Sequence, residues 1–432
     1  MPDSVALHLW RALYRLLLLV ARPWVYVRLW LRGRREPAYR QRIGERFARL
    51  PADFPRDVVW FHTVSAGETI AAAPLIAALV DGFPGVPFLV TTMTPTGSAQ
   101  VEKLLGGRVA HCYAPYDFPD AVTRFFENVR PRLLVLMETE LWPNLLREAA
   151  SRDVPALLVN GRLSERSATG YRRVGALTRA MLGSLRFIGA QYPAHGERFL
   201  ALGASPRRLG VLGSVKFDVT LPADHATRVA ALRDQWQLAG RPVWIAGSTH
   251  PGEESVVLAA HQQIRARLPD ALLVLVPRHP SRRDDVAALV ENAGLRQGWM
   301  SRGAGLAGVD VVIGDTMGEL QYLYGLSDVA FLGGSLVDVG GHNPIEAAVC
   351  RQPLVMGPAT WNFPDVVAAF ADAGCLHRVA DAAALAEVVA GYLADPARRA
   401  AAGEAAARVV AENTGATARL SALIAAEIRA VL

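Results

Sequence analysis

Cysteine is scarce. Cys112, Cys350 and Cys375 are odd in number, far apart and without CxxC spacing, which argues against a disulfide framework or a cysteine-based zinc site and fits a reducing compartment. Long apolar runs are missing too. Between Val5 and Leu31, Arg11, Arg15, Arg22 and Arg28 interrupt the Leu, Val, Trp and Tyr, so that the longest clean run is Leu16 to Ala21, well short of the ~18 residues of a spanning helix. Walker A, HExxH, EF-hand and GxSxG patterns are absent, against P-loop, metalloprotease and serine-hydrolase chemistry. Gly303-Ala304-Gly305-Leu306-Ala307-Gly308 spells GxGxxG but precedes an apolar strand. It therefore cannot set a helix N-terminus on a pyrophosphate, and a surface turn is expected.

At 432 residues, 51% of them hydrophobic and 20% charged, the chain has the composition of a globular protein and the length for two domains of about 200 residues each. Its charge is unevenly placed. Residues 1–50 carry eleven Arg against Asp3, Glu36 and Glu45, a net +8 in a chain whose total is +6, leaving −2 for the remainder. Nucleic-acid binding needs a basic patch on the folded body; here the excess sits on an apolar leader, and no nucleic-acid partner is expected.

At about 100° per residue, His8, Arg11, Arg15 and Arg22 fall on one face, predicting an amphipathic helix up to Pro23 with a cationic edge. Trp10, Trp24, Tyr26 and Trp30 suit the headgroup level, and Arg32, Arg34 and Arg35 would attract anionic lipid. Residues 1–35 are thus expected to associate with the cytoplasmic face of a membrane, whether lying on it or spanning it. An ordinary helix packed on the protein's own body is the weaker alternative.

Beyond residue 55, apolar runs alternate with helical patterns: Val58–Val64, Phe88–Thr92, Leu133–Met137 and Ala156–Val159, then Val243–Ala246, Leu272–Val276, Val311–Ile313, Val329–Leu332 and Leu354–Met356. That alternation marks parallel sheets covered on both faces. The apolar run Leu209–Phe217 gives way to a polar helical stretch, which places a domain boundary after Asp218 and yields domains 36–218 and 219–432. Ala-rich sequence from Asp381 reads as helices finishing the second domain, the last a candidate to pack back on the first. In two doubly wound domains, ligands are expected in a cleft beyond the carboxyl ends of the strands.

Chemistry-bearing residues do follow the strands. Phe61-His62-Thr63-Val64-Ser65-Ala66-Gly67-Glu68 runs from a strand into a helix, so Glu68 lies in a first turn, where the helix dipole holds a carboxylate ionised for general-base work. Taken alone, Glu68 is better explained as a plain helix cap. Leu136-Met137-Glu138-Thr139-Glu140-Leu141-Trp142-Pro143-Asn144 puts two carboxylates after another buried strand, on one side if the chain stays extended. Lys216 in Gly213-Ser214-Val215-Lys216-Phe217-Asp218 and Arg278 in Val276-Pro277-Arg278-His279-Pro280 offer cations to an anionic leaving group. The glycine-rich stretches Gly333-Gly334-Ser335 and Gly340-Gly341-His342-Asn343-Pro344-Ile345-Glu346 suggest an anion site in which Asn343 caps a helix, Pro344 occupies its first position and Glu346 accepts from ribose hydroxyls.

Together with Val64-Ser65-Ala66-Gly67-Glu68, Thr91-Thr92-Met93-Thr94-Pro95-Thr96-Gly97, Arg162-Leu163-Ser164, Leu29-Trp30-Leu31-Arg32-Gly33-Arg34 and Gly314-Asp315-Thr316-Met317-Gly318-Glu319-Leu320, these segments resemble the 3-deoxy-D-manno-octulosonic acid (Kdo) transferases of Gram-negative lipopolysaccharide synthesis over nearly the whole chain. The resemblance implies a GT-B glycosyltransferase fold, CMP-Kdo as donor and no other cofactor, a tetraacyl lipid A precursor as acceptor, inversion at the anomeric carbon and no metal. It implies Glu68 as general base, with Glu138 and Lys216 stabilising the transition state. Pro277 and Arg278, Met317, Gly318 and Glu319, and Asn343, Pro344, Ile345 and Glu346 then match a CMP site in the second domain. Anionic lipid of the inner membrane is the remaining expected partner. Another GT-B enzyme, a UDP-sugar transferase or epimerase, and a non-catalytic nucleotide-binding scaffold at the membrane are the competing expectations.

Overall fold

The computed structural model describes residues 2–432 except 303–305 and 307, so the turn expected at Gly303–Gly308 lies largely outside the described residues. Leu, Ala and Arg, all good helix formers, carry a first helix from Pro2 to Arg35 without a break at Pro23. The expected end at Pro23 is corrected. A proline inside a helix removes one hydrogen bond and costs about 3 kcal/mol, but the following turns are held by packing. Val25 lies against the cluster of Phe47, Phe118 and Ala121, Tyr26 stacks on Phe47 at 4.6 Å, and Leu29 is buried.

Two compact units follow from the contacts, Met1–Asp218 with Thr414–Leu432, and Val219–Asn413. The first contains β1 (Val59–His62), β2 (Phe88–Thr92), β3 (Ala110–Tyr113), β4 (Leu133–Met137), β5 (Ala156–Gly161), β6 (Phe187–Ala190) and β7 (Leu209–Val211) in the order β3-β2-β1-β4-β5-β6-β7. The second contains β8 (Val243–Thr249), β9 (Leu272–Pro277), β10 (Gln297–Trp299), β11 (Val311–Ile313), β12 (Val329–Leu332), β13 (Leu354–Met356) and β14 (Leu376–Arg378) in the order β10-β11-β9-β8-β12-β13-β14. All pairings are parallel. Every one of the nine expected strands is present. Strands β3, β6, β10 and β14 were not anticipated, and of the apolar run Leu209–Phe217 only β7 is extended.

Each chain path leaves its first strand in one direction and later returns to the other side of it, so the first sheet reverses between β1 and β4 and the second between β8 and β12. Such reversals open a crevice at the carboxyl ends of the strands. The expected boundary after Asp218 matches the division, whereas the expected second domain ends early, at Asn413. Asp218 is itself the reason. Its carboxylate accepts from Gly415 N and Thr417 N, both at 2.5 Å, and so caps the last helix, Ala416–Val431, whose Leu420, Ile424 and Ile428 are buried against Leu75, Ile76 and Leu79 of the first unit.

Candidate active site

In the first unit the loop after β1 builds a helix N-terminus around one carboxyl group. Ser65 caps the helix Ala66–Gly82; its hydroxyl accepts from Glu68 N at 3.4 Å and donates to Glu68 Oε1 at 2.9 Å, while Val64 N donates to Glu68 Oε2 at 3.0 Å. Glu68 therefore does cap its helix. Capping is not its whole state, because burial pushes its pKa up to about 7, against those two hydrogen bonds, and the charges of Glu138 and Glu140 raise it further. A carboxyl poised near neutrality is suited to exchange a proton with a substrate hydroxyl.

Across the reversal from β1, β4 ends at Met137 and the chain turns at once. Glu138 has φ of +56°, so the two carboxylates are not presented by strand alternation; a left-handed turn brings them round, at a cost on the order of 1 kcal/mol for a residue with a Cβ. Glu138 Oε1 pairs with Lys216 Nζ at 3.2 Å, both side chains being 21% exposed. Glu140 accepts instead from Trp142 Nε1 at 2.7 Å, and burial, with Glu138 nearby, raises its pKa. The structure thus separates the two acids: Glu138 is bound to a cation, and Glu140 is oriented by an indole.

Sequence reasoning missed the residues that support this cluster. Lys216 sits in the turn Val215–Phe217, held by Asn160 at the end of β5, whose Oδ1 accepts from Val215 N at 3.2 Å. Asn160 has φ of +52°, and an Asn ending an apolar strand was its only signal. Asp117 accepts from Asn144 N at 2.9 Å, Leu145 N at 2.8 Å and the Tyr14 hydroxyl at 2.9 Å. It caps the helix Pro143–Ser151 and ties it to the first helix, and burial pushes its pKa up to about 6.

The second unit has a corresponding cluster across its own reversal. His250 after β8 and His342 after β12 stack at 5.1 Å, one ring donating to the other across 2.9 Å between Nε2 atoms. The His279 ring meets His250 edge-on. Burial, then the charges of His250, Arg278 and His279, push the His342 pKa down to about 4, and Arg278 also acts on Glu346, whose carboxyl burial raises. Arg278 therefore lies within electrostatic reach of both His342 and Glu346, and His250 and His279 lie beside them.

Other expected features differ. The amides of Gly334, Ser335 and Leu336 are not left open for an anion; all three donate to the buried Glu253 carboxylate at 2.6–3.0 Å, which also accepts from His250 N at 2.9 Å. Gly333 is required there, because a Cβ would lie 2.4 Å from Ser248 O. The helix after Pro344 spans only Ile345–Val349 and starts one residue later than expected, although the Asn343 Oδ1 still caps Ile345 N at 3.1 Å. So short a helix has little dipole, which leaves Arg278 as the cation of the cluster. Glu319 is engaged bidentately by Arg228, Nε donating to Oε2 at 3.2 Å and Nη2 to Oε1 at 2.9 Å, Gly318 has φ of +84°, Met317 is 72% exposed, and Pro277 closes β9 beside the β8 bulge. Among the described residues no group of His, Cys, Asp and Glu is arranged to hold a metal ion.

Residues 41–219 match the family described as 3-deoxy-D-manno-octulosonic-acid transferase (kdotransferase), and residues 255–409 match glycosyl transferases group 1. A 3-deoxy-D-manno-octulosonic acid transferase of Haemophilus influenzae is 37% identical over 425 residues, covering 96% of this chain and 98% of that protein. One from Bordetella pertussis is 40% identical over 425 residues, covering 95% and 97%. In fold, the chain resembles a UDP-GlcNAc 2-epimerase from Neisseria meningitidis bound to UDP-GlcNAc, with a TM-score of 0.55 at 14% identity over 86% of this chain and 99% of that one. The architecture is GT-B-like.

Proposed function

The chain belongs to the 3-deoxy-D-manno-octulosonic acid (Kdo) transferases, and from that premise we propose that it transfers Kdo from CMP-Kdo to a tetraacyl lipid A precursor with inversion at the anomeric carbon. The observation that carries the mechanism is the state of Glu68: a half-buried carboxyl with a pKa pushed up to about 7 beside the Glu138–Lys216 pair.

Glu68 takes the proton from the acceptor hydroxyl as that oxygen attacks the ketosidic carbon. Its oxygens are already fixed by Val64 N and the Ser65 hydroxyl, so little reorganisation is needed. Glu138, paired with Lys216 at 3.2 Å, faces the positive charge that develops as the bond to the leaving group breaks, and Lys216 offers a cation to the departing anion. On the second unit, Arg278 with the imidazoles of His250 and His342 suits the phosphate of CMP, and Glu346 suits the ribose hydroxyls. Pro277, Met317, Gly318, Glu319, Asn343, Pro344 and Ile345 complete the donor site. Cations and hydrogen-bond donors stabilise the leaving phosphate without a divalent metal in this scheme.

The first helix is proposed to lie on the cytoplasmic face of the inner membrane, against anionic lipid. Among the described residues no helix is long and apolar enough to cross a bilayer. Its polarity supports surface attachment. Arg22 turns inward and pairs with Asp120 at 2.9 Å, while Val5, Leu9, Leu13, Leu16, Val20, Trp24, Val27 and Leu31, at helical spacing, are all more than 40% exposed. A helix facing water would be arranged the other way round.

The reaction is tested with CMP-Kdo generated in situ, a lipid A precursor and EDTA, the product being weighed by mass spectrometry. An increment of Kdo that disappears in Glu68→Gln is the expected result. No product from folded, lipid-supplied protein would overturn the assignment of donor and acceptor.

A further inference from the structure

One cluster of cations lies outside the site described above. Arg11 and Arg147 line a cavity of about 290 Å³ with an apolar floor that includes Leu146, Leu177 and Met181. It is bounded by the first helix and by the helices Pro143–Ser151 and Gly175–Ser184. Arg15 is close enough for its charge to act on Arg147, as Arg11 does. The Arg147 Nε is buried without a hydrogen-bond partner. Nearby carboxylates are engaged elsewhere: Glu148 accepts from Arg152 at 2.9 Å, and Asp117 serves Asn144, Leu145 and Tyr14.

Two guanidinium groups lining one partly enclosed space, with a third within electrostatic reach, repel one another, and an anion between them removes the repulsion while supplying the acceptor that Arg147 Nε lacks. We propose that this cavity binds the phosphate of an anionic membrane lipid, with Arg11 and Arg147 contacting the phosphate oxygens and Arg15 adding to the positive potential there. A lipid suits it better than a free phosphate for two reasons. The floor is apolar, and the exposed side chains of Leu9, Leu13 and Leu16 stand on the same turns of the helix as Arg11 and Arg15. The proposal rests on the reading that this helix lies in the bilayer interface.

The test is co-sedimentation of the full chain with vesicles of phosphatidylcholine alone or with added phosphatidylglycerol. Arg11→Gln/Arg147→Gln is compared with Arg28→Gln/Arg32→Gln, which removes equal charge from the first helix at positions outside the cavity. The cavity pair is expected to lower affinity for the anionic vesicles roughly tenfold, to leave binding to phosphatidylcholine unchanged and to lower the thermal midpoint not at all, since repulsion is relieved. The outer pair should cost clearly less. Equal losses would mean diffuse attraction and overturn the site, as would no loss in the cavity pair. Displacement from the vesicles by millimolar inorganic phosphate would reassign the cavity to the free anion. Wild-type protein that binds neither vesicle would overturn the interfacial helix and the site together.

Discussion

A glutamate that caps a helix and also carries a proton near neutral pH serves two roles with one carboxyl group. Glu68 does so because its two hydrogen-bond donors fix it in place without fully offsetting burial and the negative charges of Glu138 and Glu140. Two consequences follow for Glu68→Gln. Transfer should fall by roughly 10²–10⁴-fold, the range for a lost general base, and the wild-type rise in rate through about pH 7 should vanish from the pH profile. Stability should respond in the opposite sense. A carboxyl whose pKa is higher folded than unfolded holds its proton more tightly when folded, so stability falls as pH rises from the ordinary 4.5 through about 7. Denaturant melts across that window should show this slope in the wild type and a weaker slope in the variant. Glu138 and Glu140 show the limit of reading single residues. Their spacing suggested equivalent acids, but the left-handed turn at Glu138 and the partners Lys216 and Trp142 give them different environments.

Elements at the middle of each sheet were the legible ones. β4 and β12, flanked by strands and covered on both faces, are written in uninterrupted apolar residues. The strands that went unanticipated lie at or next to the sheet edges, where one side lacks a neighbour and the pattern weakens: Gln297-Gly298-Trp299, Leu376-His377-Arg378 and Ala110-His111-Cys112-Tyr113. Helix ends depend on partners remote in sequence, as with Asp117, which joins the N-terminus of Pro143–Ser151 to Tyr14 of the first helix. Asp117→Ala would leave two buried amides and a tyrosine hydroxyl without an acceptor. It should cost about 2–4 kcal/mol in denaturant unfolding and increase proteolytic cleavage near Tyr14. Glu253→Gln is expected to act similarly on the loop Gly334–Leu336, since the amide nitrogen that replaces one carboxylate oxygen cannot accept from the two N–H groups that oxygen now serves.

On the scale of the whole molecule, the chain leaves its first unit at Asp218, builds the second and returns. A chain cut after Asn413 should therefore damage the unit it appears to spare. Loss of buried Leu420, Ile424 and Ile428, each worth about 1.5–3 kcal/mol, approaches the whole stability of an ordinary domain. The fragment 219–413, which keeps its own sheet, should fold; circular dichroism melts of the two truncations distinguish them. The sequence by itself determined the class of fold, the central strands, the boundary after Asp218 and the residues that mark the family, because buried periodicity and short motifs are local properties of a chain. Only the tertiary structure decided where the last helix belongs, which of two carboxylates meets Lys216, that Glu253 occupies the glycine-loop amides, and that the first helix turns its leucines outward. Those outcomes depend on which groups meet across long sequence separations, and pairwise proximity of that kind is not encoded in any local pattern.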